Sequence, residues 1–290
     1  MRSYTNRRTE YGILTNNTTT ANLALGDRLM NDTDRYLINR FNLNETVFTT
    51  TTTASTQAYK LPFNYNKMIS VTVTIGSIKY TLKEVTSREL WDRLNYVSYT
   101  TNIPEYYYVY GDYLYIFPVP STSSYTISMY YKTRIKDLSQ ADYTTGTVAV
   151  TNGSATVTGS GTTFTPAMVG RWLRVTAPSG DNEWYKIIGY TSSTVITLFQ
   201  TYNGTTVSGA SYTIGEMSIL DENFQDIPLW RACMIYFSSR VKDTAIFKMY
   251  ETMYNTAVDA MDTDLVNKTD NMVISDGVER LVNPNLYISL

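Results

Sequence analysis

Residues 104–120 read P-E-Y-Y-Y-V-Y-G-D-Y-L-Y-I-F-P-V-P. Aromatic and β-branched residues, which favour strands, lie on both sides of Gly111-Asp112, a dipeptide suited to the positive φ of a tight turn. The pattern predicts a β-hairpin. In its second strand, residues 113–117, the odd and the even positions are all aromatic or aliphatic. A strand with two apolar faces is covered on both sides, so this strand should be central in its sheet.

Further strands are predicted on either side of this hairpin. The threonine run at residues 49–53 predicts an edge strand, and short strands are predicted at residues 59–62 and 125–131. Residues 68–75 alternate between apolar and polar side chains, and Gly76-Ser77 then forms a two-residue turn. The residues of this strand that are predicted to face the core are Ile69, Val71, Val73 and Ile75. So many strands between residues 46 and 133 favour two antiparallel sheets packed as a sandwich.

Apolar residues at helical spacing occur towards both ends of the chain. A first helix is predicted over residues 20–41, with Thr20 or Asn22 as its N-cap. A stripe of apolar residues three or four apart runs through residues 227–261. The tripeptide Lys242-Asp243-Thr244 predicts a break into two helices, the second capped by the aspartate. The methionines of the stripe are predicted to pack in the core against the first helix, although such a stripe is also typical of an adaptable binding groove.

The composition divides the chain into segments. Residues 1–20 are polar and predict an N-terminal arm without secondary structure. Residues 21–145 and 215–265 predict one domain of helices and sandwich. Residues 146–214, rich in Gly, Thr, Ser and Val, predict an inserted small β-barrel or immunoglobulin-like module. Residues 266–290 predict an irregular arm with an apolar end that docks on a partner. The predicted fold class is therefore α+β, mostly β: an antiparallel β-sandwich with its N- and C-terminal helices packed as a bundle, plus an inserted small β-barrel domain.

The composition also excludes several kinds of chemistry. The chain of 290 residues has no histidine and one cysteine, Cys233, which excludes Ser-His-Asp and Cys-His nucleophile systems, intrachain disulfides and the usual zinc sites. The formal net charge of −2 lacks the basic excess that is typical of a nucleic-acid binder. The 26 tyrosines suit contacts with proteins or glycans, and they suit equally well a β-core with hydroxyls at its rim.

Motifs for catalysis and cofactor binding are missing from the sequence. Asp181 with Glu183 and Asp221 with Glu222 are the nearest carboxylate pairs, and neighbours in one loop rarely face each other across a substrate. Gly159-Ser160-Gly161 lacks the lysine and the helix of a phosphate-binding loop. No catalytic residue, metal site or cofactor is therefore predicted. The sequence also shows neither a secretion signal nor a membrane-spanning segment, so we expect a protein made in a cytoplasm.

The order of the motifs resembles a known family. A helix leads to Y-x-L-P at residues 59–62, to the P-x-Y-Y-Y-x-x-G-D-x-L-x-I-x-P-x-P hairpin, to S-Y-T-I-S-M-Y-Y-K at residues 124–132 and to L-D-E-N-F-Q-D at residues 220–226. This order resembles the head–tail adaptor proteins (connector, tail tubular protein A-like) of short-tailed bacteriophages. The stretch G-T-V-A-V-T-N-G from residue 146 is similar to a small β-module that is common in phage tail proteins.

The resemblance implies a structural virion protein at the head–tail interface, made in the cytoplasm of the bacterial host, and not an enzyme. It implies a ring, twelvefold, between the portal protein ring and a downstream tail or nozzle protein. Genomic DNA would pass through the ring without sequence-specific binding, and no membrane or cofactor is implied. The helices would form a collar facing the portal, the sandwich would contact the next tail component, and the inserted barrel would project outward.

The residues predicted to contact the portal or neighbouring subunits lie near the two termini. In the C-terminal arm they are Leu286, Tyr287, Ile288 and Leu290, chosen because they are apolar. Near the N-terminus they are Arg2, Arg7 and Arg8, which could reach phosphates or an acidic face of a neighbour. A solvated terminus is the alternative interpretation for the arginines.

Two other functions are compatible with the sequence. A tyrosine- and threonine-rich β-protein could be a receptor-binding tail protein or an adhesin, in which Trp172, Trp184 and Tyr185 stack on the sugars of a glycan. Helices at both ends of the chain argue against it. A carboxylate-dependent glycosidase is a third hypothesis, supported only by the abundance of Asp and Glu.

Overall fold

A computed structural model describes residues 1–96 and 103–275 of the chain. The chain divides into two compact units, one of residues 42–136 and the other of residues 1–41 with the chain from residue 137 onward. The helices are α1 Tyr4–Leu14, α2 Thr20–Arg40, α3 Arg88–Asn95, α4 Ile227–Tyr236 and α5 Thr244–Ser275. The strands are β1 Glu45–Thr51, β2 Ala58–Lys60, β3 Tyr65–Ile75, β4 Ile78–Thr81, β5 Lys83–Glu84, β6 Tyr106–Tyr110, β7 Tyr113–Phe117, β8 Thr126–Thr133, β9 Thr147–Val150, β10 Thr156–Ser160, β11 Trp172–Val175, β12 Trp184–Ser192, β13 Val195–Leu198, β14 Val207–Ala210 and β15 Tyr212–Gly215. The fold class is thus mixed α and β, and mostly β.

Residues 42–136 form two four-stranded sheets around one hydrophobic cluster. The first sheet has the order β1-β8-β3-β4 and is antiparallel throughout, and the second has the order β2-β7-β6-β5, in which β5 and β6 are parallel. Val71 and Met129 from the first sheet meet Leu114 and Ile116 from the second in this cluster. Burying each such side chain stabilises the fold by about 1.5–3 kcal/mol, so the shared cluster holds the unit together.

The predicted tyrosine hairpin is confirmed as β6 and β7, with Gly111 at φ +59° in the turn. Strand β7 lies between β2 and β6, as predicted for a central strand. One of its faces buries Leu114 and Ile116, and on the other face Phe117 packs edge-on against Trp91 of α3. From Leu114 to Phe117 both faces of β7 are at least partly covered, which explains why its sequence is apolar on both.

The prediction that Ile69 of β3 faces the core is wrong. Ile69 is 44% exposed, whereas its neighbour Met68 is buried. The register between β3 and β8 shifts between Met68 and Ser70, which indicates a β-bulge. An extra residue in one strand interrupts the strict alternation of inward and outward side chains. Beyond the bulge, Val71 and Val73 are fully buried, as predicted.

Residues 147–215 form an open seven-stranded sheet with its own hydrophobic cluster, which includes Val157, Leu173 and Ile196. The strand order is β14-β9-β10-β13-β12-β11-β15. The two edge strands, β14 and β15, are separated by Ser211 alone, so the sheet must curl to bring its edges together. It is a curled half-barrel, because no ladder joins β14 to β15 in this fully described segment. That this segment is an inserted small β-barrel or immunoglobulin-like module stays a prediction. The interior of β14 is Ser208-Gly209, without β-branched residues, so local patterns do not predict this strand.

A third hydrophobic cluster joins four helices. Tyr11 of α1, Met30 of α2, Cys233 of α4 and Tyr250 of α5 belong to it. The prediction that residues 1–20 lack secondary structure is therefore wrong. A short polar helix is marginal by itself, and tertiary packing of side chains such as Tyr11 stabilises it.

The first residues of the two N-terminal helices are fixed by side-chain caps. Ser3 Oγ accepts a hydrogen bond from the Asn6 backbone N–H (3.3 Å) and so caps α1. Thr19 Oγ1 accepts from the Asn22 N–H (3.4 Å), which makes Thr19 the N-cap of α2 in place of the predicted Thr20 or Asn22. Each cap satisfies one of the backbone donors that a helix N-terminus leaves free.

The predicted break between the two last helices is confirmed. A π-helical turn, Phe237–Val241, ends α4, and Lys242 adopts the left-handed conformation with φ +59°. Asp243 Oδ1 then accepts hydrogen bonds from the N–H groups of Ala245 and Ile246, both at 3.0 Å, and so caps α5.

The methionine stripe does not continue into the core across this break. Met249 and Met253 are exposed, and α5 instead buries Tyr250, Val258 and Met261. The π-helical turn and the left-handed residue change the direction and phase of the chain, so the 3.6-residue spacing of α4 does not carry over. The prediction that all these methionines pack in the core is wrong for Met249 and Met253.

Helix α5 is also longer than its predicted end. It continues to Ser275, so residues 266–275 are helical rather than irregular. The rest of the predicted C-terminal arm, residues 276–290, lies outside the described residues.

Candidate docking surfaces

A buried ion pair holds the N-terminal helix in place. Arg7 of α1 is only 2% exposed, and its Nη1 donates to Asp34 Oδ2 of α2 at 2.8 Å. Ser218 Oγ donates to the other carboxylate oxygen of Asp34 at 3.1 Å. Because a buried charge needs its partner, Arg7 fixes the position of α1 on α2. In this chain the Arg7 side chain is enclosed and does not face solvent.

The other two predicted arginines also have carboxylate partners within the chain. Arg2 forms ion pairs with Glu10 and with Asp226, the latter at 3.0 Å between Nε and Oδ1. Arg8 Nε lies 3.2 Å from Asp27 Oδ2. Burial raises the pKa of Asp27 above its ordinary value, although Arg8 opposes this shift. Arg2 and Arg8 remain partly exposed, and their predicted contact with a partner stays a prediction.

The N-terminal residues themselves are tied to the segment before α4. The Met1 ammonium pairs with Glu222, and the Arg2 backbone N–H donates to Gln225 Oε1 at 2.7 Å. The Tyr4 N–H donates to the carbonyl of Glu216 at 2.8 Å. These contacts join the start of the chain to residues more than 200 positions later, which sequence patterns do not reveal.

The four apolar residues predicted to dock from the C-terminal arm, Leu286, Tyr287, Ile288 and Leu290, lie outside the described residues. Their role as anchors stays a prediction. Helix α5 precedes them in the sequence, and its described part carries Asp259, Asp262 and Asp264. Arg40 at the end of α2 pairs with Asp262 at 3.4 Å.

The unit of residues 42–136 exposes several large apolar side chains. Phe63 is 95% exposed beside an open concavity of about 550 Å³, lined also by Lys60, Tyr65, Asp112 and Arg134. Apolar residues that no core covers are typical of surfaces that meet another protein. The sheet β1-β8-β3-β4 exposes further apolar side chains, which are Val47 and Phe48 of β1, Ile69 of β3 and Ile78 of β4.

The residues proposed for sugar stacking do not form an open aromatic platform. Tyr185 is 4% exposed and its hydroxyl bonds to Asp181; burial raises its pKa to about 12. The guanidinium of Arg174 covers the Trp184 ring at 4.6 Å from the ring centroid. Trp172 is only partly exposed. A sugar would need free ring faces, so this surface does not favour the glycan hypothesis.

The described residues hold no group of three or more acidic, cysteine or histidine side chains that could bind a metal ion. The two aspartates singled out from the sequence have structural partners: Asp181 accepts from Tyr185, and Asp221 caps a helical turn through the Asn223 N–H. Cys233 is buried, and burial raises its pKa to about 12, which keeps the thiol protonated at neutral pH. None of the helices in the described part of the chain is both long and apolar enough to span a membrane.

A family model described as SU10 adaptor protein matches residues 6–152, which is 147 of the 290 residues. The match begins within α1, includes the whole unit of residues 42–136 and ends just after β9. The chain belongs to this family. It is accordingly a phage adaptor-type structural protein and a component of the virion, with partners in the phage capsid or tail. No curated protein matches the chain.

Proposed function

We propose that the protein is a head–tail adaptor that forms a ring between the portal and the tail of a short-tailed phage, with genomic DNA passing through the ring. The observation that carries the proposal is the match to the SU10 adaptor family over residues 6–152, together with the order of helix, hairpin and strands that resembles tail tubular adaptors. The ring contains twelve copies, contacts the portal on one side and meets the next tail or nozzle protein on the other.

Each segment of the chain has its own role in the proposed assembly. The helices act as the collar on the portal side, with residues 21–145 and 215–265 as the adaptor domain and its sheets as a sandwich. Residues 146–214 are an inserted β-module that projects outward. Residues 266–290 dock on the portal through the apolar residues near the C-terminus. The near-neutral formal net charge of −2 supports a channel that does not grip its DNA.

Assembly in this proposal is coupled to docking. Ordering a flexible segment costs conformational entropy, which only new contacts can offset. If the C-terminal segment orders on the portal, ring formation waits for that partner. Each copy would remain separate until it meets the portal, which prevents adaptor rings from forming on their own.

Native mass spectrometry of the purified protein, alone and mixed with rings of its portal, tests the proposal. We expect single copies alone and a multi-copy ring on the portal. Removal of residues 276–290 leaves α5 complete and should abolish capture. A more specific test compares two double variants. Leu286→Ser with Ile288→Ser should reduce capture by the portal. Asn283→Ser with Asn285→Ser should not. A portal whose mass does not change with the wild-type chain would exclude the proposed function.

A further inference from the structure

Strand β1 is an open edge without the usual protection. In the described part of the chain it pairs with β8 alone, over seven residues and without a bulge. Nearly all of its residues are exposed, including Val47 at 49% and Phe48 at 38%. Soluble proteins protect such edges with proline, lysine or bulges, and β1 contains none of these.

The opposite edge of the same sheet is open as well. Strand β4 pairs with β3 alone among the described strands, and Ile78 at its start is 60% exposed. The only charged residue of β1 is Glu45, and the only charged residue of β4 is Lys79. The two edges are therefore complementary in charge, whereas two copies of β1 would place like charges in one interface.

The directions of the strands fit this complementarity. All ladders of the sheet β1-β8-β3-β4 are antiparallel, so its first and fourth strands run in opposite directions. A second copy placed beside the first in the same orientation brings its β1 antiparallel to β4. The sheet then continues from copy to copy with regular alternation.

The register identifies the backbone groups that would form this ladder. The Thr52 N–H donates to the Tyr125 carbonyl, and the Asn44 carbonyl accepts from the Thr133 N–H. Hydrogen-bonded pairs alternate along an antiparallel ladder, so the even-numbered residues of β1 bond to β8. The backbone groups of the odd-numbered residues, such as Thr49, point to the free edge.

The same alternation of hydrogen-bonded residues applies to β4. The Leu82 N–H donates to the Val71 carbonyl, so residues 80 and 78 also bond to β3. The N–H groups of Lys79 and Thr81 point outward. Both edges thus offer alternating free donors and acceptors at the spacing that a partner strand needs.

We propose that β1 of one copy pairs with β4 of the next, so that the four-stranded sheet of residues 42–136 continues across the subunit boundary. Such an interface is heterologous, because each copy contributes a different edge, and repeated it generates a ring when the rotation closes. The proposal rests on the proposed ring-forming function and specifies the surface that builds the ring.

Substitutions at Thr49 distinguish the loss of the ladder between copies from the loss of the fold itself. Thr49→Pro removes an N–H that points to the free edge, where proline is tolerated within a chain, while Thr49→Ala keeps that N–H. We expect native mass spectrometry to show full rings on the portal for wild type and T49A. For T49P we expect partial occupancy, with association between copies about ten-fold weaker or more. Val47→Lys places a charge on this edge strand and should weaken the association between copies as T49P does.

Thiol cross-linking determines which edges meet. The only native cysteine, Cys233, is buried, so introduced cysteines react selectively. On the portal, a mixture of Thr49→Cys and Thr81→Cys chains treated with a short bifunctional thiol reagent should give the mixed dimer, and a chain with both substitutions should give a ladder of multimers. Dimers of T49C alone would show β1–β1 pairing and overturn the proposal.

The other possible outcomes also test the proposed pairing of β1 with β4. Equal occupancy of T49P and T49A overturns the edge ladder while the adaptor function stands. If the wild-type chain does not bind the portal, the adaptor function fails, and the same cross-linking in concentrated solution decides the edge pairing separately. Circular dichroism and thermal unfolding of T49P, compared with T49A, verify that the variant folds. If T49P is unfolded, V47K and the cross-links test the edge pairing in its place.

Discussion

At the scale of single residues, the ion pair between Arg7 and Asp34 shows how polar residues can form a core contact. Both side chains are buried, and Ser218 provides a further hydrogen bond to Asp34. The Nε and Nη2 atoms of Arg7 are enclosed without hydrogen-bond partners among the described residues. A pair of this kind contributes specificity of packing more than net stability, because its desolvation offsets much of its attraction.

Breaking this pair should be costly. Asp34→Asn leaves the Arg7 guanidinium buried without a countercharge, so we expect a loss of about 3–5 kcal/mol in the free energy of unfolding, measured by urea denaturation. The control is Asp137→Asn, which removes an exposed partner of Arg35 and should cost at most about 1 kcal/mol. Equal losses for the two variants would contradict the structural role of the buried pair.

Gly26 provides a second prediction at this scale. An alanine in place of glycine normally stabilises a helix interior by about 1 kcal/mol. At Gly26 a Cβ would lie 2.3 Å from Cδ1 of the buried Tyr11 ring, so we expect Gly26→Ala to destabilise by about 1–3 kcal/mol. At Gly12 the nearest atom is Leu23 Cδ2 at 3.1 Å, on a side chain that can move. Thermal unfolding should therefore show a smaller loss, or a gain, for Gly12→Ala.

At the scale of elements, the join between α4 and α5 orients the C-terminal part of the chain. Lys242 occupies the left-handed region, which costs a residue with a Cβ roughly 1–2 kcal/mol, and Asp243 caps the helix that follows. The same local features that sequence patterns predict as a break also redirect α5.

Glycine substitutions on the two sides of this join should have opposite effects. Lys242→Gly relieves the left-handed strain, and we expect it to stabilise the protein by about 0.5–1 kcal/mol. Lys248→Gly, at an exposed position inside α5, should destabilise by about 1 kcal/mol. Chemical denaturation of the two variants compares them directly. A loss at position 242 as large as that at 248 would mean that the left-handed conformation is not strained.

At the scale of the whole molecule, charge is unevenly distributed between the two units. Residues 42–136 contain nine of the 24 basic and six of the 26 acidic residues, a net charge of +3, so the rest of the chain has a net charge of −5. The two nearly cancel. This balance limits long-range attraction to a polyanion.

We therefore expect little affinity for duplex DNA. Fluorescence anisotropy of a labelled duplex should give a dissociation constant weaker than about 10⁻⁶ M at physiological salt, and binding at low salt should disappear as salt is added. The basic unit of residues 42–136 is the expected source of that low-salt binding. Tight binding that persists at physiological salt would contradict a channel that lets DNA slide.

Local patterns predicted most of the strands and the interruption in the last helical region. The tyrosine hairpin follows from turn chemistry at Gly111 and strand propensity, and the break follows from Lys242 and Asp243. The errors have physical causes too. The bulge at Met68 moves Ile69 to the surface, and α1 depends on contacts of Tyr11 that no local pattern contains. Of the predicted arginines, Arg7 proved to be a buried partner of Asp34, which a polar sequence does not suggest.

Local sequence is enough to predict the β-rich class, the hairpin, all strands of the curled sheet except β14, and the lack of histidine chemistry, because these depend on neighbours along the chain. Tertiary contacts are needed to establish that the N-terminal segment is a helix and that β1 and β4 are, among the described strands, the two edges of one sheet. These features depend on partners far apart in sequence, such as Arg7 with Asp34 or β1 with β8. Long-range pairing is set by packing of the whole chain, which local propensity does not encode.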